Sequence, residues 1–439
     1  MKLSTPSATR AAFAARAAAA ALAAFAAAST AFAAQLLQGS SDKDFYKVGE
    51  EITFTFSVEI ERSPDGPSKV EYERSGDDGV KEKKLVLVEP GDGFEVKTKM
   101  DKPGFVHIDA HLLGEDGKRQ NRRETRWMAA AGVEPEKLQP VPEPDDFDAF
   151  WATQKARLAE AEWKGGAKRE SVESQTGKFE VSKISVPVVD GVRPVTAWLL
   201  VPVGAAPKSL KLSLRFKGYG VGKDDPPREE WLDGKEIVVD VNAHGYELGR
   251  DTQYYKDFEK SIQTGNDMYG FDKTLNQDPA KTYFNGMILR DLRAIDFGRT
   301  LPEWDGKNIK VSGGSQGGFQ ALLLAALDPL VTEADANAPW LCDMGGKSRL
   351  GRVFGWQPQF TDAMNYYESA HHAKRVPPTC KVLISRAGLG DTVCPPSGIA
   401  AVYNNLSAPK KIVYVQGSEH GDWGKMPDGT QTFSVSEGF

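Results

Sequence analysis

Between residues 35 and 133, apolar and polar side chains alternate in short segments that are separated by turn-forming residues. The clearest segment, "EEITFTFSVEIE", places Ile52, Phe54, Phe56 and Val58 on one face and polar side chains on the other. This period of two is typical of a half-buried β-strand. Several such segments follow one another, joined by stretches such as "SPDGPS" and "EPGDG". The pattern therefore predicts a small all-β, immunoglobulin-like sandwich domain over 35–133.

This predicted sandwich carries no converging set of catalytic groups. His107 and His111 lie four residues apart in "HIDAH", so a strand would place both on one face. Because two histidines alone make a poor metal site, we interpret them as part of a polar strand face.

A proline-rich segment and a helix follow and together occupy residues 134–174. Pro135, Pro140, Pro142 and Pro144 disfavour a helix and predict an extended linker. The next stretch, "DDFDAFWATQKARLAEAEW", spaces its large apolar side chains as on one face of a helix. We expect this helix to dock on the domain that comes next.

From residue 175 to 439, apolar strands alternate with helix-like stretches. After a predicted hairpin across Asp190–Gly191, several apolar segments each end in a glycine-containing loop: "LKLSLRFKGYG", "EIVVDVNAHGYE", "NIKVSGG", "CKVLISRAGLGD" and "KKIVYVQGSEHG". This alternation predicts an α/β domain, a mostly parallel sheet with helices on both faces. In such sheets the chemistry gathers at the carboxyl ends of the strands.

The stretch "KVSGGSQGGFQALLLAALDP" places Ser315 among four glycines where a strand passes into a helix. In that setting G-x-S-x-G indicates the nucleophile elbow of an α/β-hydrolase, a sharp turn that holds the serine hydroxyl above the sheet. The alternative is a flexible glycine loop. The elbow predicts an α/β-hydrolase catalytic domain over 175–439, with Ser315 as its nucleophile.

A serine nucleophile in this fold needs an acid and a histidine that follow it in the chain. Three histidines come after Ser315. His371 and His372 lie in a helix-like stretch with no strand end before it, so we expect them at the surface or at a helix end. His420 follows the last apolar strand, in "VYVQGSEHG". This is where the general base of the fold belongs.

The acid is expected in the loop after the preceding strand. Asp391, in "SRAGLGDTVCPP", occupies that place, where it would hold the imidazole tautomer and stabilise the imidazolium. Glu419 and Asp422 flank His420 and are the alternatives, although they lie very near it in sequence.

An oxyanion hole requires two donors at the place where negative charge develops. One is expected to be the backbone N–H of Gln316, the residue after the nucleophile. The second would come from the loop after an early strand, and "KGYG" at 217–220 makes the N–H of Tyr219 our candidate. A plain β-turn is the alternative for this loop.

These segments together resemble the acetyl xylan esterases and cephalosporin C deacetylases, the seventh family of carbohydrate esterases. The resemblance rests on "GGSQGG", on "GLGDTVCPPSGIAAVYNN", where the family shows an acid followed by C-P-P-S, and on "EHG", with "DFDAFW" and "KGYG" in support. It covers roughly residues 145–439 and implies an esterase that uses no metal or organic cofactor. The family's triad maps to Ser315, Asp391 and His420, and its oxyanion donors map to Tyr219 and Gln316.

Two features depart from the family pattern. The family commonly shows H-G-Y-G where this chain has Lys217-Gly218-Tyr219-Gly220, and the amino-terminal sandwich is an addition. Members without such an extension resemble ring-shaped hexamers, so the sandwich leaves open whether this chain forms a homo-oligomer.

Composition and the first residues limit the other function classes. A net charge of -6, with 40% hydrophobic and 26% charged residues, indicates a soluble globular protein and no nucleic-acid or anionic-membrane partner. Residues 1–34 place Lys2, Arg10 and Arg16 before an alanine-rich apolar run and small residues. This predicts a signal peptide and a secreted or periplasmic protein. Cys342, Cys380 and Cys394 are an odd number, so the fold cannot depend on a disulfide framework.

The resulting hypothesis is a secreted serine esterase. It would remove O-acetyl groups from acetylated carbohydrates, xylan or xylo-oligosaccharides, by a Ser-His-Asp acyl-enzyme mechanism. The alternatives are another serine hydrolase of this fold, such as a prolyl-type peptidase or a general carboxylesterase, and an inactive sugar-binding protein. Trp340, Trp356 and Trp423 fall in or near loops at the active end, where they would stack on sugar rings or serve core packing and loop anchoring.

Overall fold

The structure is a computed structural model that describes residues 35–60, 67–89, 91–120, 123–422 and 426–439. The segment interpreted as a signal peptide, 1–34, lies outside the described residues, and so does Trp423. Across the described ranges, no helix has both the length and the apolar character needed to cross a membrane.

The amino-terminal part of the described chain is a sandwich of two sheets. Its strands are β1 (Gln35–Ser41), β2 (Phe45–Tyr46), β3 (Ile52–Ile60), β4 (Ser68–Gly76), β5 (Lys81–Val88), β6 (Gly93–Thr98), β7 (Gly104–Leu112) and β8 (Arg126–Val133). One sheet has the order β1-β3-β6 and the other has the order β2-β8-β7-β4-β5. The alternating side chains Phe54, Phe56 and Val58 of β3 are buried between the sheets, as the period of two predicts.

The strand order of the sandwich is immunoglobulin-like. Its strand pairs are antiparallel, except that the short β2 runs parallel to β8. The chain crosses between the two sheets at most of its connections, while β4–β5 and β7–β8 are hairpins within one sheet. The predicted all-β, immunoglobulin-like domain is therefore confirmed.

The second half of the chain is built on one mixed sheet. Its strands are β9 (Lys168–Val172), β10 (Phe179–Val186), β11 (Val195–Pro202), β12 (Leu210–Phe216), β13 (Glu236–Val241), β14 (Trp304–Gly314), β15 (Glu333–Asn337), β16 (Lys381–Gly388), β17 (Lys410–Val415) and β18 (Thr432–Glu437). The order is β18-β17-β16-β15-β14-β12-β13-β11-β10-β9. Strands β12 to β17 are parallel to their neighbours within that group, and the strands at both edges run antiparallel. The predicted α/β-hydrolase fold is confirmed.

Helices cover this sheet. They are α1 (Phe147–Glu160), α2 (Thr252–Ser261), α3 (Tyr283–Gly298), α4 (Gln316–Leu327), α5 (Gly346–Arg349), α6 (Ser369–Ala373) and α7 (Pro396–Asn405). Short 3-10 helices lie at Arg123–Thr125, Pro135–Lys137, Lys164–Gly166, Glu229–Trp231, Leu275–Gln277 and Ala363–Tyr367. Buried side chains of α1, α3, α4, α6 and α7 join the largest apolar cluster, whereas Tyr255 of α2 belongs to a separate cluster. That separate cluster holds Val238, while the large one holds Ile237 and Val239, so β13 is buried on both faces.

The sandwich and the hydrolase sheet share buried contacts. Phe105 of β7 and Ala130 of β8 belong to the same apolar cluster as the hydrolase core. The ring of Phe45 packs edge-on against Tyr414 of β17 and Phe433 of β18, with centroid distances of 5.5 and 5.3 Å. The sandwich therefore lies against the β17–β18 edge of the sheet.

Two histidines of the sandwich, His107 and His111, lie on one face of β7. His107 is 2% exposed and His111 is 7% exposed, so the strand face interpreted as polar is buried. Their face of β7 turns toward the hydrolase domain, where the His107 ring packs edge-on against Phe354 at 4.8 Å.

The three cysteines are buried free thiols, and no disulfide supports the described fold.

Candidate active site

Ser315 lies in the tight turn between β14 and α4. Its backbone has φ 55° and ψ -117°, a conformation that a non-glycine residue adopts only when its surroundings impose it. Close packing around the turn explains the glycines. A Cβ at Gly313 or at Gly317 would lie 2.6 or 2.3 Å from the carbonyl oxygen of Phe216 in β12. The glycines therefore serve a sharp, closely packed turn and not a flexible loop.

His420 connects Ser315 to Asp391. Its Nε2 lies 3.0 Å from the Ser315 Oγ, and its Nδ1 lies 2.9 Å from the Oδ2 of Asp391. The other carboxylate oxygen of Asp391 accepts the backbone N–H groups of Val393 and Cys394, both at 2.8 Å. Because a carboxylate oxygen accepts, Nδ1 carries the imidazole proton and Nε2 is left to face the serine hydroxyl.

These three side chains come from three loops at the carboxyl ends of neighbouring parallel strands. Ser315 follows β14, Asp391 follows β16, and His420 follows β17. Ser315 is 5% exposed and Asp391 is 1% exposed. Both residues are therefore largely shielded from water.

The competing acids point to other partners. Glu419 pairs with Arg126 of the sandwich, and Asp422 accepts the backbone N–H of Glu419 at 2.7 Å. Asp391 lies in hydrogen-bonding contact with the imidazole of His420.

His371 and His372 lie in the last turn of α6, so the expectation of a helix end is confirmed and the expectation of the surface is wrong. Both are fully buried in α6, beneath α1, where the Phe147 ring contacts both imidazoles. Burial lowers the pKa of His371 to about 4 and that of His372 to about 3, which keeps both neutral. Their position depends on how α1 docks, which a local sequence pattern does not show.

The predicted oxyanion segments lie beside the serine. Gln316 is the first residue of α4, so its N–H has no acceptor within the helix. The loop after β12 approaches the elbow closely, since a Cβ at Gly218 would lie 3.9 Å from the Cβ of Ser315. Gly218 and Tyr219 line the same cavity as Ser315.

Lys217, which stands where the resembled family has histidine, anchors this loop. Its Nζ pairs with Asp224 and lies 3.2 Å from Asp240. Burial alone would lower the pKa of Lys217, but the carboxylates of Asp240 and Asp224 outweigh it and raise that pKa. Burial raises the pKa of Asp240 to about 6. The ammonium of this half-exposed lysine therefore ties the loop to β13 through its ion pairs.

Two buried side chains hold the oxyanion segments, and neither was among the predicted site residues. The hydroxyl of Tyr269 accepts the N–H of Gly220 at 2.8 Å and donates to the Oε1 of Gln316 at 2.9 Å. Nε2 of His244 hydrogen-bonds the carbonyl of Gly220 at 3.0 Å. The position of His244 after a strand end, in "NAHG", could have indicated it, whereas Tyr269 lies in an irregular segment with no such signal.

A cavity of about 740 Å³ opens over the serine. It is lined by Gly218, Tyr219, Gly314, Ser315, Trp356, Val393 and His420. Trp356 therefore reaches the cavity. Trp340 is 1% exposed and lies behind it, with the two indole rings 5.2 Å apart and the Trp340 Nε1–H donating to the Trp356 carbonyl. Trp340 supports the cavity wall and does not form its surface.

One group of potential metal ligands occurs among the described residues. Asp391, Cys394 and His420 bring their ligand atoms within 4.8 Å of one another. Both imidazole nitrogens of His420 already face Asp391 and Ser315. Burial raises the pKa of the Cys394 thiol well above its ordinary value, which disfavours the thiolate that a metal would require. The chemistry of this group fits hydrogen bonding better than metal binding.

Comparisons with known proteins point to one family. A family model described as acetyl xylan esterase (AXE1) matches residues 137–352 and 357–435. The acetyl esterase Axe7A of Xylanibacter ruminicola is 31% identical over 349 residues, which cover 73% of this chain and 72% of that protein. The two ranges that the family model matches include Ser315, Asp391 and His420.

Solved structures show the same fold. The acetyl xylan esterase from Paenibacillus sp. R4 superposes with a TM-score of 0.54 at 23% identity, over 65% of this chain and 93% of that one. Acetyl xylan esterase 1 from Thermoanaerobacterium sp. JW/SL YS485 gives the same TM-score and identity, over 67% of this chain and 94% of that one.

Proposed function

The chain belongs to the acetyl xylan esterase family of carboxylic ester hydrolases, and we propose that it removes O-acetyl groups from acetylated xylan or xylo-oligosaccharides through an acyl-enzyme at Ser315. The observation that carries the proposal is the hydrogen-bonded series from the Ser315 Oγ through His420 to Asp391, on a strained elbow at the floor of an open cavity.

In the first half of the reaction, the Ser315 hydroxyl attacks the acetyl carbonyl while the Nε2 of His420 takes its proton. The imidazolium that forms is stabilised by the Asp391 carboxylate at Nδ1. The tetrahedral intermediate then collapses, the C–O bond to the sugar breaks, and His420 returns the proton to the sugar oxygen. This leaves an acetyl-serine and a free sugar hydroxyl.

In the second half, His420 takes a proton from a water molecule, which attacks the acetyl-serine. Collapse of this second intermediate releases acetate and restores the Ser315 hydroxyl. In both halves the negative charge on the carbonyl oxygen would be received by the backbone N–H groups of Gln316 and Tyr219, which are held before the substrate arrives. Tyr269 fixes the two segments relative to each other through its two hydrogen bonds.

The cavity supports an ester of a small acyl group on a larger alcohol. Its volume of about 740 Å³ lies in the usual range for small-molecule sites. The aromatic side chain of Trp356 on its wall offers a stacking surface for a sugar ring. We propose no metal or organic cofactor for this chemistry, since nucleophile, base and oxyanion donors all come from the chain.

We further propose export of the protein and three units in the mature chain. The signal peptide pattern of residues 1–34 supports export to the periplasm or the outside of the cell. The proposed boundaries are a sandwich over 35–133, a linker with a docking helix over 134–174, and a catalytic domain over 175–439. The match to the family model begins at residue 137, close to the first of these boundaries.

The nucleophile is tested by Ser315→Ala in the full chain. We expect acetate release from acetylated xylose to fall by about 10⁴-fold or more, because the attacking hydroxyl is removed. Phenylmethylsulfonyl fluoride should modify Ser315 in the unchanged protein and leave the variant unmodified. Ser213→Ala, a buried serine of β12, is the matched control and should retain full activity. Substantial turnover by folded Ser315→Ala would contradict the proposal.

The same assay separates the alternative reaction. A prolyl-type peptidase of this fold would release amine from a peptide anilide faster than acetate from an acetylated sugar. We expect the opposite ratio of kcat/KM values.

A further inference from the structure

Two segments beside the cavity carry side chains that line it, and the sandwich contacts both. The segment 353–356 contributes Trp356, and the loop 416–420 contributes His420. The contacts come from β7, β8 and the turn after β4. None of these residues belongs to the hydrolase domain.

The histidine loop is held by strand β8 at its base. Gln416 follows β17 directly, and its side-chain amide is fully buried. Its Oε1 accepts the N–H of Ala130 at 2.8 Å, and its Nε2 donates to the carbonyl of Ala130 at 2.8 Å. The amide thus continues the hydrogen bonding of β8 into the hydrolase domain.

The next two positions of this loop also meet β8. Gly417 has a φ of 64°, and a Cβ there would lie 2.2 Å from ring atoms of Trp127. Glu419, which directly precedes His420, pairs with the guanidinium of Arg126. Arg126 is itself oriented by Asp109 of β7, whose Oδ1 lies 2.9 Å from its Nε.

The segment 353–356 receives two contacts from the sandwich. The Oδ1 of Asp77, in the turn after β4, accepts the N–H of Val353 at 3.1 Å, while its Oδ2 accepts the N–H of Phe105 at 2.9 Å. The His107 ring of β7 packs edge-on against Phe354, with the ring centroids 4.8 Å apart.

From these contacts we propose that the sandwich is a structural part of the active site, and that Arg126 is a positioning residue for His420. The inference rests on the proposed role of His420 as general base. The imidazole of His420 has to contact Asp391 with one nitrogen and Ser315 with the other at the same time. Its loop lies beyond the end of β17. Misplacement of a reacting group by about 1 Å can cost about 10²-fold in rate. The Arg126–Glu419 pair fixes the residue next to the imidazole from outside the hydrolase domain.

The test replaces Arg126 in the full chain and compares it with a matched arginine. Arg126→Met removes the pair and keeps much of the side-chain length, and Arg126→Lys keeps the charge. Arg119→Met is the control, because Arg119 is similarly exposed in the same domain but pairs with Glu71 inside the sandwich. The measurements are kcat and KM on a small aryl acetate, the rate of inactivation by phenylmethylsulfonyl fluoride, and the melting temperature.

We expect kcat and the inactivation rate of Arg126→Met to fall by about 10-fold, because His420 is misplaced. KM should stay within about twofold of its original value, because the substrate cavity is unchanged. Arg126→Lys should recover part of the loss, and Arg119→Met should behave like the unchanged protein. Glu419→Gln should also lower kcat. The double variant Arg126→Met/Glu419→Gln should have a kcat no lower than that of the less active single variant, because both changes remove the same ion pair.

A kcat for Arg126→Met within twofold of that for Arg119→Met would overturn the proposal. If Arg126→Met does not fold, Glu419→Gln decides the question from the other side of the pair, and unchanged kcat in that variant has the same consequence. His420→Ala separates a failure of the positioning role from a failure of the proposed function. Retained turnover in His420→Ala would refute the assignment of His420 as the base. Lost turnover in His420→Ala together with unchanged kcat in the Arg126 variants would refute only the positioning role.

Discussion

Asp391→Asn is the most informative single change in this site, because the structure determines which way the new amide must face. In the unchanged protein, one oxygen of Asp391 accepts the N–H groups of Val393 and Cys394, and the other faces the Nδ1 of His420. The asparagine carbonyl oxygen has to take the first position, since two donors point at it. Its NH₂ group then lies against the imidazole.

An NH₂ group only donates, so His420 would present an unprotonated Nδ1 and carry its proton on Nε2. That nitrogen could no longer take the proton of Ser315. The opposite amide orientation restores the useful tautomer but leaves two buried N–H groups without an acceptor, at about 1–3 kcal/mol each. The total of about 2–6 kcal/mol corresponds to a loss of roughly 30-fold to 10⁴-fold in the productive form, at about 1.4 kcal/mol per tenfold. The equivalent change in a serine protease triad costs about 10⁴-fold in turnover.

The assay is the initial rate of acetate release from acetylated xylose at saturating substrate, with circular dichroism and the melting temperature as checks on folding. Glu419→Gln and Asp422→Asn are the comparison variants, because these acids flank His420 in the chain. We expect Asp391→Asn to lose at least about 30-fold in kcat, and the two others to lose about 10-fold or less. A collapse in either flanking variant, with Asp391→Asn near the original rate, would transfer the acid role and refute the reasoning.

Two further predictions concern buried groups. Tyr269→Phe removes the hydroxyl that joins the oxyanion segments and should lower kcat by about 10-fold. The control is Tyr255→Phe, which also loses two hydrogen bonds of a tyrosine hydroxyl and should lower the stability but not kcat. Equal kcat values for the two variants would contradict this prediction. Burial raises the pKa of Asp291 to about 7 from 3.8, so the folded state holds a proton that the unfolded state releases. The free energy of unfolding should therefore fall as pH rises from about 4 to 7, by at most about 1.4 kcal/mol per pH unit. Asp291→Asn, measured by chemical denaturation, should show a smaller fall; an identical pH dependence would refute it.

The sequence predicts the elbow well because all of its constraints are local. Ser315 and its glycines occupy consecutive positions between a strand and a helix, and the strain of the turn is visible as glycine use. The positions of Asp391 and His420 follow from the chain order of an α/β-hydrolase together with apolar strands that end shortly before each of them. Chain order and strand ends are sufficient because parallel neighbours bring their carboxyl ends to one edge.

The burial of particular side chains is harder to predict, because it depends on elements far away in the chain. His371 and His372 are covered by α1, and Trp340 is covered by Trp356. A polar or aromatic residue in a loop or short helix has the same local pattern whether or not another element packs on it. A local pattern therefore predicts the two histidines at the surface or at a helix end without showing that they are buried, and it does not distinguish Trp340 from Trp356.

The relation between the two domains shows the same limit with a larger consequence. Every proposed catalytic group comes after residue 174, so the sequence alone treats the sandwich as separable from catalysis. The contact between Arg126 and Glu419 spans 293 positions in the chain, and that between Ala130 and Gln416 spans 286. Such pairs leave no periodic trace. They nevertheless hold the base of the histidine loop just beyond the end of β17. A domain that supplies no reacting atom can in this way determine where the reacting imidazole stands.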